Sequence, residues 1–91
     1  MTTQTTEEDL SQAEEACAEG ESALERGDTA AAEKCFTRAL ELAGAEDREG
    51  GTRLAARART GAGRVRLARG EIEGAETEFE RAHALRPSAA G

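Results

Sequence analysis

The sequence contains few of the side chains that build a thick hydrophobic core. Among its 91 residues there is no Trp, no Tyr and only two Phe, and the other large apolar side chains past Met1 are seven Leu, one Val and one Ile. Full burial of one such side chain stabilises a protein by only about 1.5–3 kcal/mol. We therefore expect at most one domain, which folds by close approach of small residues or with help from another chain.

Residue types that carry chemistry are also scarce. The two cysteines, Cys17 and Cys35, form no CxxC motif, and His83 is the only histidine. A disulfide scaffold, a metal site and a catalytic set each need more such groups at closer spacing. The sequence thus predicts no catalytic residue, no metal and no cofactor, and it predicts that the protein is not an enzyme.

Long apolar segments are absent as well. No stretch approaches the ~20 apolar residues that cross a bilayer, and the first nine residues lack the basic and apolar regions of a signal peptide. The expected location is the cytoplasm. The net charge of −7 argues against nucleic acid and against anionic membranes as partners.

What the sequence does contain is an internal repeat. When residues 10–44 are aligned with residues 53–87, an offset of 43 residues, identities fall at 11 of 35 positions, where about 4 would arise by chance. The matched pairs include Gly20 with Gly63 and Phe36 with Phe79. A Gly-acid pair recurs too, Gly27-Asp28 and Gly70-Glu71, which suits the end of one helix and the start of the next.

This pattern resembles the tetratricopeptide repeat (TPR). That family carries a Gly in its first helix, a Gly-Asp turn, then a small residue, an aromatic, an Ala and a closing Pro. The corresponding residues here are Gly20, Gly27, Asp28, Ala32, Phe36 and Ala39 in the first copy, and Gly63, Gly70, Glu71, Ala75, Phe79, Ala82 and Pro87 in the second. The 43-residue period is similar to longer-helix varieties, as in kinesin light chains and some bacterial signalling receptors. The family's first-helix aromatics are replaced by Ala16 and Ala23 in one copy and by Arg59 and Arg66 in the other.

The periodicity predicts an all-α fold of two antiparallel helix hairpins stacked side by side. The resemblance implies that these four helices form a short TPR-like α-solenoid. The expected helices span residues 7–26, 29–43, 52–69 and 71–85. Residues 1–6 are predicted to be a flexible N-terminus, 7–43 the first repeat, 44–51 a loop, 52–87 the second repeat and 88–91 a flexible tail. Glycines inside helices, at Gly20, Gly61 and Gly63, predict close helix crossings. In the last helix we expect Ile72, Ala75, Phe79 and Ala82 to face inward.

The resemblance implies a concave groove, lined by the first helix of each repeat, that binds peptides. The expected lining residues are Glu14, Cys17, Glu21 and Leu24 from one helix and Arg57, Thr60, Arg64 and Leu67 from the other. The carboxylate clamp of some relatives needs Lys and Asn, which these positions lack. A partner that is basic toward the first helix and acidic toward the second fits better.

Charge is strongly segregated between those two helices. Residues 7–26 hold eight acids and one Arg, whereas residues 52–69 hold six Arg and no acid. Three interpretations remain open: ion pairs across the repeat interface, two solvated faces, or pairing between two copies of the chain.

The second repeat has no capping helix after it, so an apolar edge around Ile72, Phe79 and His83 is expected to be open. The sequence therefore predicts a non-enzymatic module that binds a partner protein or peptide through its groove or this edge, and that forms a homo-oligomer. The alternative is an accessory subunit that stabilises a catalytic partner or presents its substrate. A third hypothesis, an arginine-lined site for an anionic small molecule or nucleic acid, is the weakest.

Overall fold

The computed structural model describes residues 5–43 and 49–85, and within them the chain forms four α-helices and no strand. The helices are α1 (Thr5–Glu25), α2 (Thr29–Ala43), α3 (Glu49–Ala68) and α4 (Ile72–Leu85). The predicted all-α class is confirmed. None of these helices combines the length and hydrophobicity needed to cross a bilayer.

The helix ends differ from the predicted ones by up to three residues. Residues 5–6 and 49–51, predicted to be flexible terminus and loop, are helical. Amphipathic periodicity does not locate these starts, because only polar residues and glycine precede the first apolar position of each helix. Residues 1–4, the remaining predicted loop at 44–48, and Pro87 with the predicted tail lie outside the described residues.

Two equivalent turns close the helix hairpins. Gly27 and Gly70 have φ of 80° and 82°, a left-handed conformation that glycine adopts without a steric penalty. In the first turn the Asp28 amide donates to the Ala23 carbonyl oxygen at 2.8 Å and the Gly27 amide to that of Leu24 at 2.9 Å, the pattern of a Schellman C-cap. Asp28 then caps α2, because its Oδ1 accepts a hydrogen bond from the Ala31 amide at 3.1 Å.

The helices pack as two stacked hairpins. Helix α1 packs against α2, and α3 against α4; α3 also contacts both helices of the first hairpin, whereas α4 contacts α3 alone among the described residues. The interior is built mainly of alanine, as the shortage of large side chains predicted. Its buried members in the first hairpin are Ala13, Ala16, Cys17, Ala23, Ala32, Phe36, Ala39 and Ala43.

Phe36 of α2 is the centre of this interior. Its ring is fully buried, and a Cβ placed on Gly20 of α1 would lie 2.7 Å from it. A Cβ on Gly61 of α3 would overlap the same ring. The equivalent ring, Phe79 of α4, lies against Gly63 in the same way. The close approach predicted at all three glycines is therefore confirmed.

The inward face of α4 differs from the predicted one. Ile72 is 54% exposed, so its predicted inward orientation is wrong, while Glu78 is buried. The Glu78 carboxylate lies 3.2 Å from Arg59 Nη1 and 3.7 Å from Arg66 Nε. The positions 43 residues earlier are Cys35, Ala16 and Ala23. The second hairpin thus has an ion cluster where the first has small apolar side chains.

Candidate partner-binding groove

A concave groove lies along α1 and α3, the two helices that the resemblance singles out. It consists of two adjoining depressions of about 350 Å³ and 420 Å³, which share Arg53 and Arg57. The first is lined by Glu21, Thr52, Arg53, Ala56, Arg57, Thr60, Gly61 and Arg64. The second is lined by Leu10, Ser11, Glu14, Arg53, Leu54 and Arg57.

Five of the eight expected groove residues line these depressions, namely Glu14, Glu21, Arg57, Thr60 and Arg64. The other three lie elsewhere. Cys17 is buried between the helices, where its Sγ lies 3.9 Å from the Leu54 carbonyl oxygen as a weak donor. Leu24 packs against the core, and Leu67 is 46% exposed. Near its middle the predicted helical stripe coincides with these depressions, and at its C-terminal end it departs from them.

The groove also contains residues that the sequence interpretation missed, and Arg53 is the most important of them. It precedes Arg57 by four residues, so both lie on one face of α3. Extending the stripe by one turn toward the N-terminus of α3 would have found it. The predicted stripe began at Arg57 and therefore left Arg53 out.

One ion pair joins the two hairpins across the groove. Arg57 Nη2 donates to Glu21 Oε1 at 2.7 Å and Arg57 Nε donates to Oε2 at 2.8 Å, a bidentate geometry that guanidinium and carboxylate groups favour. These hydrogen bonds lower the pKa of the Glu21 carboxyl below its usual 4.5 and raise the pKa of the Arg57 guanidinium. Pairing of α1 with α3, one of the three interpretations, is therefore present at this position.

The other arginines of the second hairpin behave differently. Arg59 and Arg66 bind Glu78 of α4, Arg66 also binds Glu71 at 3.0 Å, and Arg69 binds Glu33 of α2 at 2.9 Å. Arg53 and Arg64 are exposed and form no ion pair with the described residues. The positive charge of α3 is thus partly neutralised by α1 and α4, and among the described residues its two unpaired cations, Arg53 and Arg64, both line the groove.

The remaining reactive groups are dispersed. Burial raises the pKa of the Cys17 thiol to about 11, and Cys35 is a free, half-buried thiol on a different helix. Within the described residues no three side chains of His, Cys, Asp or Glu converge to hold a metal ion.

The expected open edge lies on the far side of α3 and α4. Ile72 and His83 are exposed, and Phe79 is partly buried, with one face of its ring on Gly63. Among the described helices, only α3 packs against α4.

No protein-family model, no curated protein and no solved structure matches this chain. The resemblance to tetratricopeptide repeats thus rests on the residues of this chain alone.

Proposed function

We propose that this chain is a non-enzymatic, cytoplasmic module that binds a segment of a partner protein along the groove between α1 and α3. The observation that carries the proposal is the pair of exposed arginines, Arg53 and Arg64, which line one groove without an ion-pair partner among the described residues. Unpaired charges in a concave site attract a complementary ligand more strongly than scattered surface charges do. The free thiols of Cys17 and Cys35 suit a reducing compartment.

The charges of the groove define the chemistry of the partner. Arg53 and Arg64 are eleven residues apart on α3, which corresponds to about 16 Å along the helix axis. An extended peptide spans that distance with about five residues. On the opposite wall Glu14 is exposed and unpaired within the described part of the chain. The partner segment therefore carries two acidic groups about five residues apart and a basic group toward Glu14.

The Glu21–Arg57 pair connects the two walls of this groove. Its two hydrogen bonds join α1 to α3 without a ligand, so the groove is already formed at this position. A groove that is already formed loses less conformational entropy on binding. The pair has no net charge, so the charge that the groove presents to a ligand comes from Arg53, Arg64 and Glu14.

Selection from a random library of 12-residue peptides tests the proposal. We expect enriched peptides to carry two acidic residues at about the predicted spacing. Binding measured by fluorescence anisotropy should weaken at least tenfold in Arg53→Glu and should weaken further as salt is raised. Arg81→Glu is the matched control, since Arg81 is an exposed helical arginine outside the groove. Enrichment of peptides without acids, no enrichment, or equal loss in Arg81→Glu would contradict the proposal.

A further inference from the structure

The internal repeat identifies a second surface, the edge of α3 and α4 that faces away from the first hairpin. In the first hairpin, the corresponding edge is covered by α3. Cys17 on this edge contacts Leu54, and Glu21 binds Arg57. Phe36 lies on Gly61, and Glu33 binds Arg69. Adding 43 to the number of each first-hairpin residue gives the equivalent edge of the second hairpin: Thr60, Arg64, Phe79 and Glu76.

The two edges differ in what covers them. The Phe36 ring is fully buried because glycines from two hairpins, Gly20 and Gly61, enclose it. Phe79 has only the glycine of its own hairpin, Gly63, and remains partly exposed. The second edge therefore has an aromatic ring with one unfilled side.

The second hairpin also carries two large apolar side chains that are exposed, Leu67 at 46% and Ile72 at 54% exposure. Apolar surface of this kind is costly to leave in water in a chain with so few large apolar residues. The partly exposed ring favours a partner that covers it.

The charges of the edge indicate which partner fits. Glu33, Thr37 and Leu40 of α2 line the crevice against α3, so their equivalents Glu76, Glu80 and His83 lie on the open edge of α4. The edge of α3 contributes Arg64. Arg64 and Glu76 form no ion pair with the described residues, whereas their equivalents Glu21 and Glu33 both do. The edge is thus basic on one helix and acidic on the other.

We propose that a second copy of this chain packs on the edge about a two-fold axis parallel to α3 and α4. Such an axis lays α3 of one copy on α4 of the other at the same height. Because Gly63 contacts Phe79, Arg64 lies level with the turn of α4 that carries Glu76 and Glu80. Each Arg64 therefore faces the acids of the partner copy, and each Phe79 faces the partner's α3.

The other two-fold arrangement, with the axis across the helices, lays α3 on α3. It brings the arginines of two basic helices together, and like charges in contact oppose association. The charge pattern therefore selects one symmetric dimer. Arg64 also lines the groove, and Arg57 shows that an arginine on this helix can bridge two hairpins and line the groove at once. The dimer does not depend on the peptide-binding proposal.

Sedimentation equilibrium of the full chain tests this inference. The concentrations run from about 5 to about 500 µM, a range that covers the dissociation constants of weak dimers. We expect a monomer–dimer equilibrium. Phe79→Asp should abolish it, and Arg64→Glu should raise the dimer dissociation constant at least tenfold. The variant that combines Arg64→Glu with Glu76→Arg and Glu80→Arg restores the opposite charges, so it should recover the dimer. Arg81→Glu should leave the equilibrium unchanged.

Other outcomes would overturn the inference. A wild-type chain that stays monomeric at the highest concentration, about 500 µM, would overturn it. Larger open-ended oligomers would indicate head-to-tail packing instead. If Arg64→Glu leaves the dimer dissociation constant unchanged, or if the combined charge reversal fails to restore the dimer, the interface lies elsewhere. Because the charge reversals leave Phe79 in place, they remain informative even if Phe79→Asp unfolds the chain.

Discussion

At the scale of single residues, the fold depends on glycines that admit a phenylalanine ring. Gly20 and Gly61 lie on different helices, yet both make room for Phe36. A helical glycine costs about 1 kcal/mol relative to alanine, and here that cost is offset by burial of the largest side chain in the interior. The same substitution therefore has opposite effects at different glycines, depending on what its methyl group meets.

We expect Gly61→Ala to destabilise the protein by about 1–3 kcal/mol, because the new methyl group would overlap the buried Phe36 ring. Gly74→Ala is the matched control. Its Cβ meets the flexible Arg66 side chain at 2.9 Å, which can move. There the gain in helix propensity should dominate and stabilise the fold by up to ~1 kcal/mol. Urea unfolding followed by circular dichroism measures both. Equal stability of Gly61→Ala and wild type would contradict the tight packing.

Burial was predictable from the sequence only where it is apolar. The buried stripe of α2 around Phe36 and the buried small residues of α1 follow the helical period, so an apolar pattern locates them. Glu78 was missed because a carboxylate flanked by two arginines looks like a solvated residue when only hydrophobicity is counted. Ile72 was placed inward because it is apolar, although it is the first residue of α4 and lies beyond the contact with α3.

At the scale of helices, α3 connects the molecule, because it is the only described helix that contacts the other three. Its arginines follow that arrangement, with Arg57 bound to α1 and Arg59 and Arg66 bound to α4. Arg69, the first residue after the helix, binds α2. The sequence showed that α3 is basic. It did not show which acids it would meet, because that depends on the rotation of α3 about its own axis.

The Glu21–Arg57 pair makes the contact between α1 and α3 sensitive to acid. Since the folded state lowers the Glu21 pKa, this pair stabilises the protein above pH 4.5 and loses its effect as pH falls through the lower folded-state pKa. At pH 7 the free energy of unfolding of wild type should exceed that of Glu21→Gln by up to ~1 kcal/mol. The amount is modest because both side chains of the pair are over one-third exposed. The difference should shrink as pH falls below 4.5 and vanish once pH lies below the lowered folded-state pKa of Glu21.

Thermal unfolding of both proteins across this pH range measures the effect. Glu25→Gln serves as the control, because Glu25 is an exposed acid of the same helix without an ion pair among the described residues. Its difference from wild type should stay small and constant. A Glu21→Gln difference that grows toward low pH would reverse the assigned sign.

At the scale of the whole molecule, the two hairpins are joined by the contact of the first hairpin with α3. Cys17 lies inside that contact, fully buried, with a thiol pKa of about 11, whereas Cys35 is half-buried on the other side of the first hairpin. The reactivity of the two thiols therefore distinguishes local access from separation of the hairpins.

We expect a disulfide reagent such as 5,5′-dithiobis(2-nitrobenzoate) at pH 7.5 to modify one thiol quickly and the other slowly. The fast thiol should be Cys35, since the Cys17 thiolate is scarce and shielded until α1 and α3 separate. Cys35→Ser should remove the fast phase and Cys17→Ser the slow one. Gly61→Ala, which loosens the contact, should accelerate the slow phase. If both thiols react at the same rate, in a single phase, the contact between the hairpins does not protect Cys17.

The order in which this chain is synthesised gives the Phe36 contact a further consequence. The ring is made well before Gly61, which follows it by 25 residues. Until α3 leaves the ribosome, Phe36 has only Gly20 to lie on, and the first hairpin emerges with an open aromatic surface. The interior of the first hairpin is thus completed by the second, so a chain that has not yet supplied α3 leaves an aromatic ring uncovered, the kind of surface that makes incomplete chains prone to aggregate.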